Sequence, residues 1–241
     1  MHAFRHIKSA KNLILQTLFP SVCFGCKTEE PVTGGFLCGK CFGNIKINPA
    51  FFCAICKNRL PTPRKVCHKN SPLIAAAPEI YGREPVTELI KLLKYKKLAP
   101  LAEPLGDIMT EFVRASELAF ADYCLVPIPL SAKRLRERGF NQAELLALRL
   151  KANLGIADDL YLPRVLRRVA HTKPQAELAT RKEREKNIRN CFAVADPAKI
   201  AGHNIIIIDD VFTTGSTAKE AALVLKRAGV RKVIALAVAR A

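Results

Sequence analysis

From Ile205 to Ile208 four β-branched residues follow one another with no polar position between them. A strand with one wet face alternates apolar and polar residues; a strand with none is covered on both faces, as in the middle of a parallel sheet. Residues 123–129, "YCLVPIP", predict a second short buried strand, halted by prolines at its C-terminal end. Between such runs the spacing becomes helical. Val86, Leu89, Ile90 and Leu93 share one face of a helix over 84–97. Lys91, Lys94, Lys96 and Lys97 are assigned to its other side and end, as solvated charges. Further helices are expected from Pro100 to about residue 116, over 141–153, and over 217–228 where Gly229 closes the last turn. Short strands are expected at 164–169 and 192–195, a charged helix at 177–190, and a final strand at 230–239. Strands alternating with helices predict an α/β fold built on a parallel sheet.

The first 75 residues follow a different rule. Seven of the nine cysteines lie between Cys23 and Cys67, and prolines 61, 63, 72 and 78 mark an exit that places a domain boundary near residue 75. The expected division is therefore a small cysteine module over 1–75 and a catalytic-type domain over 76–241. Cys23-Phe-Gly-Cys26 and Cys38-Gly-Lys-Cys41 are paired knuckles, each tight turn aiming two sulfurs at one point, so together they supply the closed tetrahedron of a structural Zn²⁺. Gly25 and Gly39 are expected to supply positive φ in those turns. Cys53 and Cys56 form a third knuckle, completed less regularly by Cys67 and His68, with Asn70 where a regular knuckle would place its last cysteine. A second Zn²⁺ there competes with a knuckle that survives as a plain turn. Metal rather than disulfides fits the odd cysteine total and a reducing, cytoplasmic compartment. Lone Cys124 and Cys191 read as small buried side chains. The opening twenty residues are basic and then apolar, but lack a small-residue cleavage site, and are expected to form a helix rather than a secretion signal.

The net charge of +18 favours phosphate-rich partners without choosing between a nucleic acid and a small phosphorylated molecule. The chemistry concentrates after the isoleucines. In open parallel sheets ligands sit beyond the carboxyl ends of the strands, so Asp209 and Asp210 are expected at a cleft. Thr213, Thr214, Gly215, Ser216 and Thr217 then form a cup of backbone N–H groups and hydroxyls at the start of a helix, suited to a phosphate monoester. Acids beside a phosphate cup are compatible if the ligand also offers a vicinal diol. A ribose 5-phosphate satisfies both halves. No G-x-x-x-x-G-K-[ST] or G-x-G-x-x-G string offers a nucleotide loop instead. An Asp pair that holds only Mg²⁺, or a strand end with a capping turn, is the competing reading.

The string "IIIIDDVFTTGST" resembles the phosphoribosyl diphosphate (PRPP) signature of type I phosphoribosyltransferases. "VPIPLSAKRLRERGFNQAELLA", the knuckles, and the spacing of Gln175, Arg184, Asn187 and Phe192 resemble more narrowly the ComF family of competence proteins. The resemblance implies a type I phosphoribosyltransferase fold, with Asp209 and Asp210 on the ribose hydroxyls and residues 213–217 on the 5′-phosphate. It implies that the loop after "LVPIP" meets the pyrophosphate through some of Lys133, Arg134, Arg136 and Arg138, and that Arg168, His171 and Lys173 belong to a hood over the site. Mg²⁺ would accompany PRPP. It also implies a second class of function: handling of single-stranded DNA during uptake or recombination, with associated proteins as partners. Phe51, Phe52 and Phe140 are candidate stacking residues for such a strand.

Overall fold

The structure, a computed structural model, describes residues 22–28, 36–62, 67–116, 118–169 and 188–241. The expected N-terminal helix, most of the charged helix at 177–190, and His171 and Lys173 lie outside the described residues. The chain divides into two compact units, Met1–Ile45 and Lys46–Ala241.

In the first unit the Cys23 knuckle faces a short helix, α1 (Gly39–Gly43). Cys38 is its N-cap, its sulfur accepting the Cys41 N–H, while the Cys23 sulfur accepts the Cys38 N–H at 3.2 Å. Phe24 stacks on Phe36.

The second unit begins with a hairpin, β1 (Phe51–Cys53) and β2 (Arg59–Leu60), which pairs antiparallel with β3 (Ile74–Ala76). This explains why the compact units part at residue 45 and not near 75. Strand β1 of the hairpin is buried on both faces, at Phe51, Phe52 and Cys53, and satisfies its backbone groups on the main sheet. Then come β4 (Glu79–Ile80), α2 (Val86–Tyr95), α3 (Ala102–Ala115), β5 (Tyr123–Pro127), α4 (Ala132–Arg138) and α5 (Gln142–Leu154). A separate antiparallel pair, β6 (Leu166–Arg168) and β7 (Phe192–Val194), precedes β8 (Asn204–Phe212), α6 (Ser216–Arg227) and β9 (Lys232–Arg240). The main sheet runs β2-β1-β3-β9-β8-β5, with β4 also on β9; from β3 onward all its pairings are parallel.

The isoleucines sit as their pattern requires. Ile205 to Ile208 are all at most 1% exposed. Ile205 and Ile207 join Val126, Val233 and Ala235 in one cluster with Ala218, Ala221, Ala222 and Leu225 of α6. The alternate positions, Leu125, Ile206, Ile208, Ile234 and Leu236, are buried too, and α3 and α5 pack against β9 and β8. Cys124 and Cys191 are buried. No helix of the described residues is long and apolar enough to cross a membrane.

Candidate functional site

β8 outruns its neighbour. β5 pairs with it only as far as Pro127 opposite Ile208, and the last bond between them runs from the Ile128 N–H to the Ile208 carbonyl at 2.9 Å. Pro129 has no N–H to continue the ladder. On its other side β8 stays paired with β9 through Phe212 opposite Arg240. The strand therefore does not stop before the acids, as the isoleucine run implied. Asp209 and Asp210 lie within it, on a stretch that one neighbour has left.

A cavity of about 580 Å³ opens there, lined by both aspartates, Thr213 and Thr217, and by five cations: Lys94, Lys97, Arg134, Arg138 and Arg168. That size lies within the roughly 300–1,000 Å³ usual for small-molecule sites. With Glu137 the acids number three, so the walls are net positive and suit an anionic ligand.

The "RGFNQ" string supplies one wall. Ser131 caps α4, Gly139 ends it at φ +87°, and the Asn141 side chain caps α5 by accepting the Ala143 N–H while its amide donates to the Ile128 carbonyl. Arg138 donates to Gln142, which is buried at the cavity wall. Arg134 and Arg138 thus face the cleft. Lys133 does not line it: 74% exposed, it lies 3.9 Å from Glu137, and Arg136 is likewise exposed and absent from the lining. A seven-residue helix points successive side chains 100° apart, so only two of the four cations can share the cleft. Arg168 reaches it from β6 and lies over the Phe192 ring.

Lys94 sits at the centre of the electrostatics, contrary to its expected place among solvated lysines. It follows Ile90 by four residues, which puts it at the edge of the buried stripe of α2, and its ammonium lies 2.7 Å from Asp210 Oδ1. Burial alone would lower the Lys94 pKa, but the Asp210 charge outweighs it and holds the pKa above the ordinary value. Asp210 is 3% exposed, and its second oxygen, Oδ2, is buried with no hydrogen-bond partner among the described residues. A buried acceptor without a donor is what a ligand hydroxyl would satisfy. Asp209 accepts the Asp210 N–H at 2.8 Å; burial first, then the Asp210 charge, push its pKa up to about 7.

Next in the chain, Gly215 takes φ +74° and lets the backbone turn into α6. Thr214 and Ser216 hydroxyls meet at 2.7 Å, and the Ser216 N–H is 3.3 Å from Thr214 Oγ1. Thr213 and Thr217 line the cleft; Thr213, Thr214 and Gly215 also line a second, smaller cavity, and Ser216 is buried. The five residues are thus split between lining the cleft and shaping the turn.

Among the described residues two clusters elsewhere could hold a metal: Cys23, Cys26, Cys38 and Cys41, and Cys53, Cys56, Cys67 and His68, each with its ligand atoms within 4.8 Å of one another. Four sulfurs on one Zn²⁺ lie about 3.8 Å apart along each tetrahedral edge, given Zn–S bonds of about 2.3 Å. Cys26 and Cys38 sulfurs are 3.8 Å apart, Cys56 and Cys67 sulfurs 3.5 Å, and His68 Nδ1 lies 3.4 Å from Cys53 and 3.1 Å from Cys67. Adjacent Cys67 and His68 therefore do converge, and both donor sets fit Zn²⁺. The positive φ of the knuckles falls on Lys27 and Lys57, not on Gly25 or Gly39. Gly25 is needed for room: a Cβ there would lie 2.7 Å from the Cys41 sulfur, whereas one at Gly39 meets nothing.

Two of the three candidate stacking residues are unavailable. Phe51 is 4% exposed against Phe112, and Phe52 is 7% exposed beneath Arg240. Phe140 is half-buried.

Residues 136–241 match the phosphoribosyl transferase domain family. The chain is 28% identical over 239 residues to competence protein F of Haemophilus influenzae, covering 94% of this chain and 100% of that one. It is 29% identical over 218 residues to the DNA utilization protein YhgH of Salmonella typhimurium, covering 87% and 92%, and 28% identical over 211 residues to competence protein ComFC of Bacillus subtilis, covering 86% and 79%. The solved structure of the glutamine PRPP amidotransferase from B. subtilis aligns over 58% of this chain and 26% of that one, with 16% identity and a TM-score of 0.37, a likeness too low to argue from. The domain match and the long relatives agree with the knuckles and the strand–turn signature: residues 136–241 carry a phosphoribosyl transferase domain, and the chain as a whole is similar to competence and DNA utilization proteins.

Proposed function

We propose that the cleft binds PRPP or ribose 5-phosphate. One observation carries this reading: a buried carboxylate oxygen of Asp210, without a donor among the described residues, shares a net-positive cavity with Thr213 and Thr217. The ribose diol would donate to Asp209 and Asp210, and the 5′-phosphate would take the turn at 213–217. Arg134, Arg138 and Arg168 line the same cleft and are the candidates to meet a pyrophosphate. Mg²⁺ enters as the companion of the diphosphate and would neutralise part of its charge. The protein's own residues fit the sugar better than a private cation site, because Lys94 already occupies one oxygen of Asp210.

In the transfer this binding would serve, the bond from the anomeric carbon to the pyrophosphate oxygen breaks and pyrophosphate leaves with the electron pair. A bond from the acceptor nucleophile forms on the same carbon. The acids support the positive charge that develops on the ribose, and the guanidiniums support the leaving negative charge. Both zinc clusters would hold Zn²⁺ as structural ions, each closed by four protein ligands. Isotope-traced pyrophosphate release from PRPP tests the transfer. Release that requires Mg²⁺ and disappears in Asp209→Asn with Asp210→Asn supports it; release unaltered by that pair of substitutions refutes it.

A second reading is favoured by the names of the relatives, which concern competence and DNA utilization. In it the chain binds single-stranded DNA, with uptake or recombination proteins as partners, and the sugar-phosphate cleft regulates that binding. A net charge of +18 supports contact with a phosphate backbone. Affinity for an oligonucleotide that falls steeply as salt rises supports this role, and salt-independent or absent binding removes it.

A further inference from the structure

The second cysteine cluster and the phosphate turn are distant in sequence, yet only a small gap separates them. A cavity of about 50 Å³, space for one or two waters, is walled by Cys53, Ala54 and Lys57 of the knuckle and by Thr213, Thr214 and Gly215 of the turn. Both belong to the unit Lys46–Ala241.

A continuous set of contacts joins them. Cys53 ends β1, which is registered on β3 with Phe52 opposite Ala75 and Cys53 opposite Ile74. The Arg240 guanidinium lies 3.9 Å from the centre of the Phe52 ring. Arg240 is registered opposite Phe212, the residue just before the turn, and the Ala241 N–H donates to the Phe212 carbonyl at 2.7 Å. The turn itself has few internal ties: the hydroxyl pair of Thr214 and Ser216, and the left-handed Gly215. The knuckle is equally short of burial, since Cys56, Cys67 and His68 are exposed. Apolar packing cannot fix such a segment, so a bound cation would supply its rigidity.

We infer that the Cys53–Cys56–Cys67–His68 cluster is a metal-dependent brace for the phosphate turn, so that loading of this cluster sets the affinity of the cleft. Its effect on affinity rests on the phosphoribosyl reading above; its effect on the turn's own stability does not. With metal bound, Phe52 and Ala54 are held against Arg240 and Phe212. Without it the knuckle loosens, and the turn loses its backing.

The test uses the full chain loaded with Zn²⁺. Cys56→Ser removes a ligand that does not line the small cavity. Zinc content, amide hydrogen exchange over 211–218 without ligand, and the PRPP dissociation constant with Mg²⁺ are measured on it and on the unaltered chain. Peptides over 123–127 and 142–154 report whether the rest of the fold persists. The brace predicts loss of one zinc per chain, faster exchange in the turn by about 3- to 30-fold, unchanged exchange in the reference peptides, and a similar loss of affinity. Unchanged turn exchange after that zinc loss overturns it. Because the ligand variant could unfold more widely, Arg240→Gln provides the second arm. It removes the contact with Phe52 while sparing every ligand, and predicts full zinc content with faster turn exchange. Full zinc with unaltered turn exchange overturns the brace. If the turn responds but the unaltered chain binds no PRPP, the brace stands and the sugar-phosphate reading fails.

Discussion

Lys94 Nζ lies 2.7 Å from Asp210 Oδ1, joining α2 to β8, the strand one in from the β5 edge of the sheet. The pair neutralises a carboxylate that burial would otherwise penalise, yet leaves its second oxygen for a ligand. Removing only the cation leaves a buried charge without compensation. Lys94→Met is therefore expected to destabilise the fold by about 3 kcal/mol, a fall in melting temperature of roughly 6–12 °C for a chain of this size. Adding Asp210→Asn should recover part of the loss. Thermal melts of the two single variants and the double variant check this, and strictly additive losses would argue against the pairing.

Asp209 gives the fold a pH dependence of definite sign. Burial, then the neighbouring Asp210 charge, raise its pKa to about 7, from an ordinary carboxyl value near 4. Between those values the folded chain keeps a proton that the unfolded chain has released. The associated stability is full below about pH 4 and is lost as pH rises through about 7. Asp209→Asn removes this slope. Denaturation midpoints of both proteins between pH 5 and 8 should show the variant gaining on the unaltered chain toward pH 8. A constant difference contradicts the assignment.

The four cations of 133–138 divide by direction. Arg138 lines the cleft and Lys133 does not. Arg138→Met should weaken pyrophosphate binding by about 10- to 100-fold, the worth of a charged hydrogen bond. Lys133→Met should change it by no more than about twofold, as for an exposed ion pair. Competition of pyrophosphate against labelled PRPP measures both; equal losses would remove the distinction.

The knuckle glycines also divide. A Cβ on Gly25 would collide with Cys41 at 2.7 Å, and one on Gly39 would meet nothing. Gly25→Ala is expected to reduce bound zinc from two to one per chain, while Gly39→Ala retains both. Metal analysis of the purified variants decides it.

Much of this was legible in the residues. Four isoleucines announced a strand covered on both faces, and the helix expected over 141–153 is α5, whereas the loop expected at 133–138 is the helix α4. Other features depended on neighbours that a single string does not show. β8 runs past Asp209 because β9 continues beside it, which no local propensity records. The β1–β2 hairpin reads as part of the cysteine module, but its backbone groups find partners on the main sheet. Lys94 was within reach: its spacing from Ile90 placed it on the apolar edge, and the charge run around it obscured that. Knuckle glycines invited a dihedral explanation, whereas the constraint is room beside a sulfur. Phe51 and Phe52, adjacent aromatics in a basic module, proved to be core.

The most direct measurement is a calorimetric titration of PRPP with Mg²⁺ into the unaltered chain and into the chain carrying Asp209→Asn and Asp210→Asn. The account predicts one saturable site per chain, PRPP bound more tightly than pyrophosphate alone, and at least about a tenfold loss in the doubly altered chain. Equal affinity for PRPP and pyrophosphate, or an unaltered isotherm without the two acids, would contradict it.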